Sequence, residues 1–240
     1  MPCLICAAPK TVKSHLFPRA LVHDIRDQDK HVWVASTEQW GKKFHQSGEI
    51  DDAILCRQHE AETADADKYG VSFCRNFSKD AERAFNGHGF WVPNPKPQKL
   101  VSFACGIVWR HVVSRHGREF GYSLGRHEPV LSATMFGQVT NGQEPLLVLG
   151  RVRTTIGGRT LPLAMPPHPI RYQQSRIWRF CIADFIFDLV VDSRKPSQEY
   201  QSLACNMKSP AAVIDFGEAD VLSMPGTVEL MRRMSGSPRK

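Results

Sequence analysis

The chain has 240 residues, of which 42% are hydrophobic, so it can bury the core of one large domain or of two small ones and is not a disordered chain. No apolar run approaches the roughly 20 residues that a membrane span needs, and no charged-then-apolar leader follows Met1, so we expect a cytoplasmic protein without a membrane partner. The net charge of +7 is unevenly distributed along the chain. Residues 1–75 carry 10 Lys and Arg against 11 Asp and Glu, which leaves 21 against 13 for residues 76–240. The positive surplus of this second part either binds nucleic acid or forms a solvated surface.

Residues 1–90 are predicted to form a metal-stabilised module that ends in a helix. The first part of this segment shows little periodicity and cannot make a large apolar core, and in short, loop-rich modules a metal ion is the usual substitute. From Ile54 to Phe85, apolar residues at spacings of three and four predict a helix, in which Gly70 is a weak point. Residues 91–99 contain three prolines in five positions and predict a stiff linker between two domains.

Residues 100–222 are predicted to form an α+β domain, and nothing in its sequence indicates what it recognises. Residues 100–114 are apolar nearly all round and predict a buried helix, in which Trp109 lies in the core and Arg110 either points inward or extends its charge to solvent. The remaining predicted elements are a helix at 128–139, strands of a small sheet at 146–149 and 182–191, and a flexible basic tail at 223–240.

Two pairs of metal-ligand residues stand out, Cys3-x-x-Cys6 and Cys56-x-x-His59, with 49 residues between them. A gap of two residues lets both side chains of a pair converge on one ion, and thiolate and imidazole donors favour zinc over magnesium or calcium. Four such donors fill the tetrahedral shell and leave no open position for chemistry. We therefore predict a structural zinc site, with a redox dithiol or a chance pairing as the competing interpretations.

The other thiols are not predicted to have a chemical role. Seven cysteines is an odd number, which does not suit a disulfide framework in a chain without an export signal. Those outside the two pairs lie singly among apolar neighbours, where a cysteine is usually a small buried hydrophobe: Cys74, Cys105, Cys181 and Cys205.

The order of motifs in the first quarter of the chain resembles a known family. Cys3-x-x-Cys6 is followed by Ser14-His15-Leu16-Phe17-Pro18, and then by Leu55-Cys56-Arg57-Gln58-His59-Glu60. This order resembles the zinc-stabilised HNH (His-Me finger, treble-clef) endonucleases, in a variant with Ser-His-x-x-Pro and Cys-x-x-His-Glu. The resemblance is limited to residues 3–69. It implies a zinc-bound ββα module at the start of an α+β fold.

The same resemblance implies a function and a reacting group. His15 occupies the position of the general base of the family, which activates water against a phosphodiester bond, with a divalent cation that polarises the phosphate. The implied activity is a metal-dependent endonuclease acting on nucleic acid, DNA before RNA, and by analogy of fold one belonging to a bacterial or phage defence or packaging system. For His15, a structural role in a loop beside the zinc remains the alternative.

Three positions depart from the usual family pattern. The family places Asp or His immediately before the base, Asn a few residues before the third zinc ligand, and His just after the fourth, whereas this sequence has Ser14, Asp51 and Glu60 there. Serine is a poor ligand for a hard cation, but Glu60 with Asp51 or Asp52 offers oxygen ligands to Mg²⁺ or Mn²⁺. We expect these residues to hold the catalytic metal.

The departures also support an alternative of another class, a catalytically inactive zinc-finger protein that binds DNA or a protein partner. A related question concerns Glu60 and Asp67, which lie two turns apart on one face of the predicted helix. They form either a carboxylate cluster near the metal or part of a solvated helical face.

Overall fold

A computed structural model describes residues 2–26, 32–35, 40–43, 48–138, 144–156, 159–160, 163–192, 194, 196–206 and 210–220. The predicted basic tail, residues 223–240, lies outside these ranges. The described helices are α1 (Arg19–Asp24), α2 (Arg57–Asp80), α3 (Pro97–Val113), α4 (Arg115–Glu119), α5 (Glu128–Met135) and α6 (Gln198–Leu203). The described strands are β1 (Ser14–His15), β2 (Val32–Ala35), β3 (Trp40–Lys43), β4 (Ile50–Asp51), β5 (Glu82–Ala84), β6 (Gly89–Val92), β7 (Leu146–Ile156), β8 (Arg159–Thr160), β9 (Leu163–Tyr172), β10 (Ser175–Ile182), β11 (Phe185–Val190) and β12 (Ala211–Asp220).

The fold is mixed α+β, as predicted, but its sheet is large rather than small. Ten strands form one sheet in the order β3-β2-β9-β10-β11-β7-β12-β6-β5, with β8 paired to β7, while β1 and β4 form a separate antiparallel pair. Neighbours in the large sheet are antiparallel except for β12 with β7 and β2 with β9. None of the described helices combines the length and apolarity needed to cross a membrane.

Strand β9 explains part of the difference in sheet size. Its sequence contains Pro166, Pro167 and Pro169, and proline within a run normally argues against a strand because it lacks the backbone N–H of the ladder. The strand pairs along most of its length with β10, whereas β2 reaches only Leu163 and Ala164. Within the described residues, the prolines of β9 therefore lie where the strand has one neighbour, β10, and not two.

Helix α3 lies at the centre of the core, and every residue from Leu100 to Val113 is buried. Phe103 of this helix contacts Phe187 of β11, with ring centroids 5.6 Å apart. On another side, α3 approaches α2 so closely that a Cβ atom on Gly70 would lie 2.5 Å from the Phe103 ring. The glycine that weakens the helical pattern of α2 is thus required by its packing.

The predicted linker at residues 91–99 falls within this shared structure. Residues 91 and 92 belong to β6, which pairs with β12, and α3 begins at Pro97, so the connector is confined to residues 93–96. One cluster of buried apolar residues extends from Cys3 to Val213. The two sides of the proposed domain boundary therefore contribute to one core.

We expect Gly70→Ala to destabilise the protein by about 1–2 kcal/mol, because the overpacking cost exceeds the gain in helix propensity. Urea unfolding followed by circular dichroism measures the change. Ser78→Ala, at an exposed position of α2, is the control and should be neutral or slightly stabilising. A stabilised Gly70→Ala variant would contradict the close approach of the two helices.

Candidate metal cluster and the adjoining cavity

The first ligand pair lies in a tight turn that is fastened to the second. The backbone N–H of Cys3 donates to Ala8 O at 2.8 Å, and that of Ala7, whose φ of 57° is left-handed, donates to Cys3 O. The backbone N–H of Leu4 donates to Ile54 O at 3.0 Å, two residues before Cys56. Backbone hydrogen bonds thus bring together two pairs that are distant in sequence.

The second pair lies at the start of α2, where Cys56 is the residue that precedes the helix and His59 belongs to its first turn. The four ligand atoms of Cys3, Cys6, Cys56 and His59 all lie within 4.8 Å of one another. His59 Nδ1 lies 3.5 Å from Cys3 Sγ and 3.3 Å from Cys56 Sγ, and Cys6 Sγ lies 3.9 Å from Cys56 Sγ. Donors at zinc bonding distance on a tetrahedron are about 3.8 Å apart, so this predicted group can hold a metal ion such as zinc.

The thiol of Cys3 is also suited to metal binding. Burial by itself raises its pKa, but hydrogen bonds from the backbone N–H groups of Cys6, Ile5 and Cys56 outweigh this effect and bring the pKa to about 6. The thiolate that binds metals is then the main form at neutral pH. By contrast, burial raises the pKa of the thiols of Cys181 and Cys205 to about 12, and that of Cys74 and Cys105 further, as suits inert core residues.

A cavity of about 700 Å³ lies next to the cluster, between α1 and α2, and His15 and Glu60 both line it. His15 belongs to β1, which pairs with β4, and Glu60 directly follows the ligand His59 in α2. In the described part of the chain, His15 Nε2 and Glu60 Oε2 are buried without a hydrogen-bond partner. Buried polar atoms are nearly always paired in native proteins, so this group indicates a place for a ligand or an ion.

The pKa values of His15 and Glu60 are shifted in opposite directions. Burial raises the pKa of Glu60, and the Ser14 hydroxyl and the charge of Arg110 partly oppose this shift. Burial also lowers the pKa of His15, and the charges of Arg19 and Arg110 lower it further. His15 is therefore neutral at pH 7 and able to accept a proton, while Glu60 would be favoured in its charged form by a bound cation.

Asp67 and Arg110 complete the wall of the cavity as an ion pair. The two terminal guanidinium nitrogens of Arg110 donate to the two carboxylate oxygens of Asp67, both at 2.9 Å, and Nε donates to Gly106 O. The side chain of Arg110 is 1% exposed and that of Asp67 is 20% exposed. Arg110 thus points inward, and Asp67 belongs to the cavity rather than to a solvated helical face.

The structure places Asp51 and Asp52 elsewhere. Asp51 Oδ1 accepts from Ala53 N at 2.8 Å, and Oδ2 accepts from the N–H of Arg115, the first residue of α4, at 2.7 Å. Both aspartates line a different cavity of about 440 Å³, together with residues of α4. The carboxylate that joins His15 and Glu60 is therefore Asp67, and neither Asp51 nor Asp52 lines their cavity.

Sequence spacing predicted only some of the residues that line this cavity. The separation of Glu60 and Asp67 by two helical turns suggested a carboxylate cluster, but no signal indicated that Arg110 would neutralise one member.

Comparisons with models of known protein families, with curated proteins and with solved structures found no match to this chain.

We expect the purified protein to contain one zinc ion per chain and the Cys56→Ser variant to lose it, because three remaining donors hold zinc far more weakly than four. Elemental analysis after dialysis measures the content. Cys74→Ser changes a thiol of α2 that lies outside the cluster and should keep the zinc. Equal zinc in both variants would contradict the assignment.

We expect Asp67→Ala to lower the free energy of unfolding by about 3 kcal/mol, because it leaves the buried Arg110 charge without its partner. The double variant Asp67→Ala/Arg110→Met should recover much of the loss, since it removes both charges. Asp65→Ala, also on α2, breaks an exposed ion pair with Lys99 of α3 and should cost far less, because solvent screens an exposed pair. Urea unfolding compares the variants, and equal losses for Asp67→Ala and Asp65→Ala would contradict a buried pair.

Proposed function

We propose that the protein is a metal-dependent, HNH-like nuclease that hydrolyses phosphodiester bonds in nucleic acid, with DNA as the preferred substrate. The observation that carries the proposal is the cavity in which His15 and Glu60 both present buried, unpartnered polar atoms next to the four-ligand cluster. A neutral imidazole and a carboxylate beside an anion-accessible cavity are the groups that metal-assisted hydrolysis requires.

The order of the surrounding elements supports the family resemblance. His15 lies on β1, which pairs antiparallel with β4, and α2 follows with its first turn at the cluster. Two paired strands followed by a helix are what the ββα module of the family implies, although here α1, β2 and β3 lie between the two strands. Glu60 is in the helical position after the fourth cluster ligand, where the family has a histidine.

In the proposed reaction, His15 takes a proton from a water molecule as the water oxygen attacks the phosphorus atom. The bond from phosphorus to the leaving oxygen breaks, and that oxygen departs with the electron pair. Glu60, with the Ser14 hydroxyl beside it, would hold Mg²⁺ or Mn²⁺, which supplies polarisation of the phosphate and stabilises the leaving oxygen. Asp67 keeps the Arg110 charge in place, and that charge favours both neutral His15 and ionised Glu60.

The four-ligand cluster has a supporting role in this proposal. A zinc ion bound by three thiolates and one imidazole has a closed shell and offers no position to water or substrate. Its contribution is to fix the first turn of α2, and thereby Glu60, against the strand that carries His15.

We expect the protein to nick plasmid DNA in the presence of Mg²⁺ or Mn²⁺ and His15→Ala to reduce the rate at least about 100-fold, because a positioned general base contributes this much. Agarose gels measure nicking, and elemental analysis should show unchanged zinc. His88→Ala, which removes an exposed histidine outside the cavity, is the control. Unimpaired nicking by His15→Ala would refute the role of His15.

If no divalent cation supports cleavage but DNA binds with strong salt dependence, the protein is instead a catalytically inactive binding protein.

We expect the cleavage rate to fall on the acid side below pH 6.5, because the pKa of His15 is lowered from its ordinary value of 6.5. The sign follows from the role of the base: the neutral form is active, it predominates above the pKa, and protonation abolishes it as the pH falls. Single-turnover rates between pH 5 and 8 with a labelled oligonucleotide measure the profile. An acid limb centred above pH 7 would contradict a buried, neutral His15.

A further inference from the structure

The cavity beside His15 is elongated along helix α2. Its lining on this helix runs from Glu60 through Asp67, Lys68 and Val71 to Asn76. These residues follow one face of the helix, and the sixteen steps from Glu60 to Asn76 span about 24 Å. The first residues of α1 form the opposite wall, with Arg19 exposed there. The cavity is thus a groove with His15 and Glu60 at one end.

The charges of the groove are not balanced. Two of its four cationic side chains already have carboxylate partners, because Arg110 pairs with Asp67 and Arg75 pairs with Asp24 at 2.7 Å. The other two, Arg19 and Lys68, form no ion pair with a carboxylate of the described residues, and both are exposed. Arg19 Nε donates to His23 at 3.2 Å, which leaves its terminal nitrogens available. Two uncompensated positive charges therefore remain on the groove walls.

The separation of Lys68 from Glu60 at the reacting end excludes a single phosphate group as the whole ligand of the groove. Along α2, Lys68 lies eight residues, or about 12 Å, beyond Glu60. One phosphate group cannot contact both positions, whereas a nucleic acid strand carries phosphates at about 3.4 Å intervals along a helical axis. Arg19 lies nearer to the reacting end, since its charge acts on His15.

We propose that this groove binds the backbone of one nucleic acid strand, with Arg19 contacting a phosphate next to the scissile bond and Lys68 contacting a flanking phosphate further along. The position of the scissile bond rests on the proposed function, whereas binding of the strand does not. The paired residue Arg75 and the polar side chains of Ser72 and Asn76 extend the same track.

The first test measures binding without cleavage, in the His15→Ala background and without added divalent cations. Fluorescence anisotropy with a labelled single-stranded oligodeoxynucleotide is recorded over a series of salt concentrations. Arg19→Gln and Lys68→Gln should each weaken binding and reduce the slope of log K against log salt by about 0.7, the value for one phosphate contact to a single strand. Arg171→Gln removes an exposed cation of β9 outside the groove and should leave the slope unchanged.

The second test uses cleavage in the otherwise unchanged protein. Bis(p-nitrophenyl) phosphate has one phosphate and cannot reach Lys68, so Lys68→Gln should reduce oligonucleotide cleavage and leave hydrolysis of this small diester unchanged. Equal losses on both substrates, or salt slopes equal to those of Arg171→Gln, overturn the groove proposal. If the protein hydrolyses neither substrate, the nuclease proposal fails, and the salt slopes still decide whether the groove binds a strand.

Discussion

The contact between helices α2 and α3 is the constraint on which the site depends. Arg110 is almost completely buried and needs a carboxylate partner, and Asp67 of α2 supplies both of its oxygens. One turn further along α2, Gly70 allows the Phe103 ring to approach without a Cβ in between. Because α3 is itself buried against the large sheet, these contacts fix the rotation of α2 about its axis. That rotation decides which residues of α2 face the cavity.

The first turn of α2 joins the candidate zinc cluster to the cavity. His59 directs Nδ1 towards the thiols, and Glu60, the next residue, directs its carboxylate towards Ser14 and lines the same cavity as His15. Successive residues of a helix point about 100° apart, so neither side chain can turn away without displacing the other. An ion held by the cluster would therefore stabilise the position of Glu60 without taking part in chemistry itself.

Electrostatics gives the cavity its chemical character. Burial favours the neutral forms of both His15 and Glu60. The positive charge of Arg110 also favours neutral His15, but it favours the ionised form of Glu60. Asp67 limits the effect, because it neutralises most of the Arg110 charge at 2.9 Å. The result is a neutral base in the same cavity as a carboxylate whose Oε2 lacks a hydrogen-bond partner among the described residues. This cavity end opens into a groove whose other unpaired charges, those of Arg19 and Lys68, are positive.

The sequence by itself determined the features that depend on local spacing or on composition. The two ligand pairs are recognisable because a gap of two residues is a property of one turn, and the helix around Trp109 is recognisable because it is apolar on all sides. The tertiary structure alone decided that Asp67 faces His15 while Asp51 binds backbone N–H groups of residues 53 and 115. It also decided the size of the sheet, whose strands come from both sides of the predicted linker. Asp67 and Arg110 are 43 residues apart, and only the packing of two helices determines that they meet.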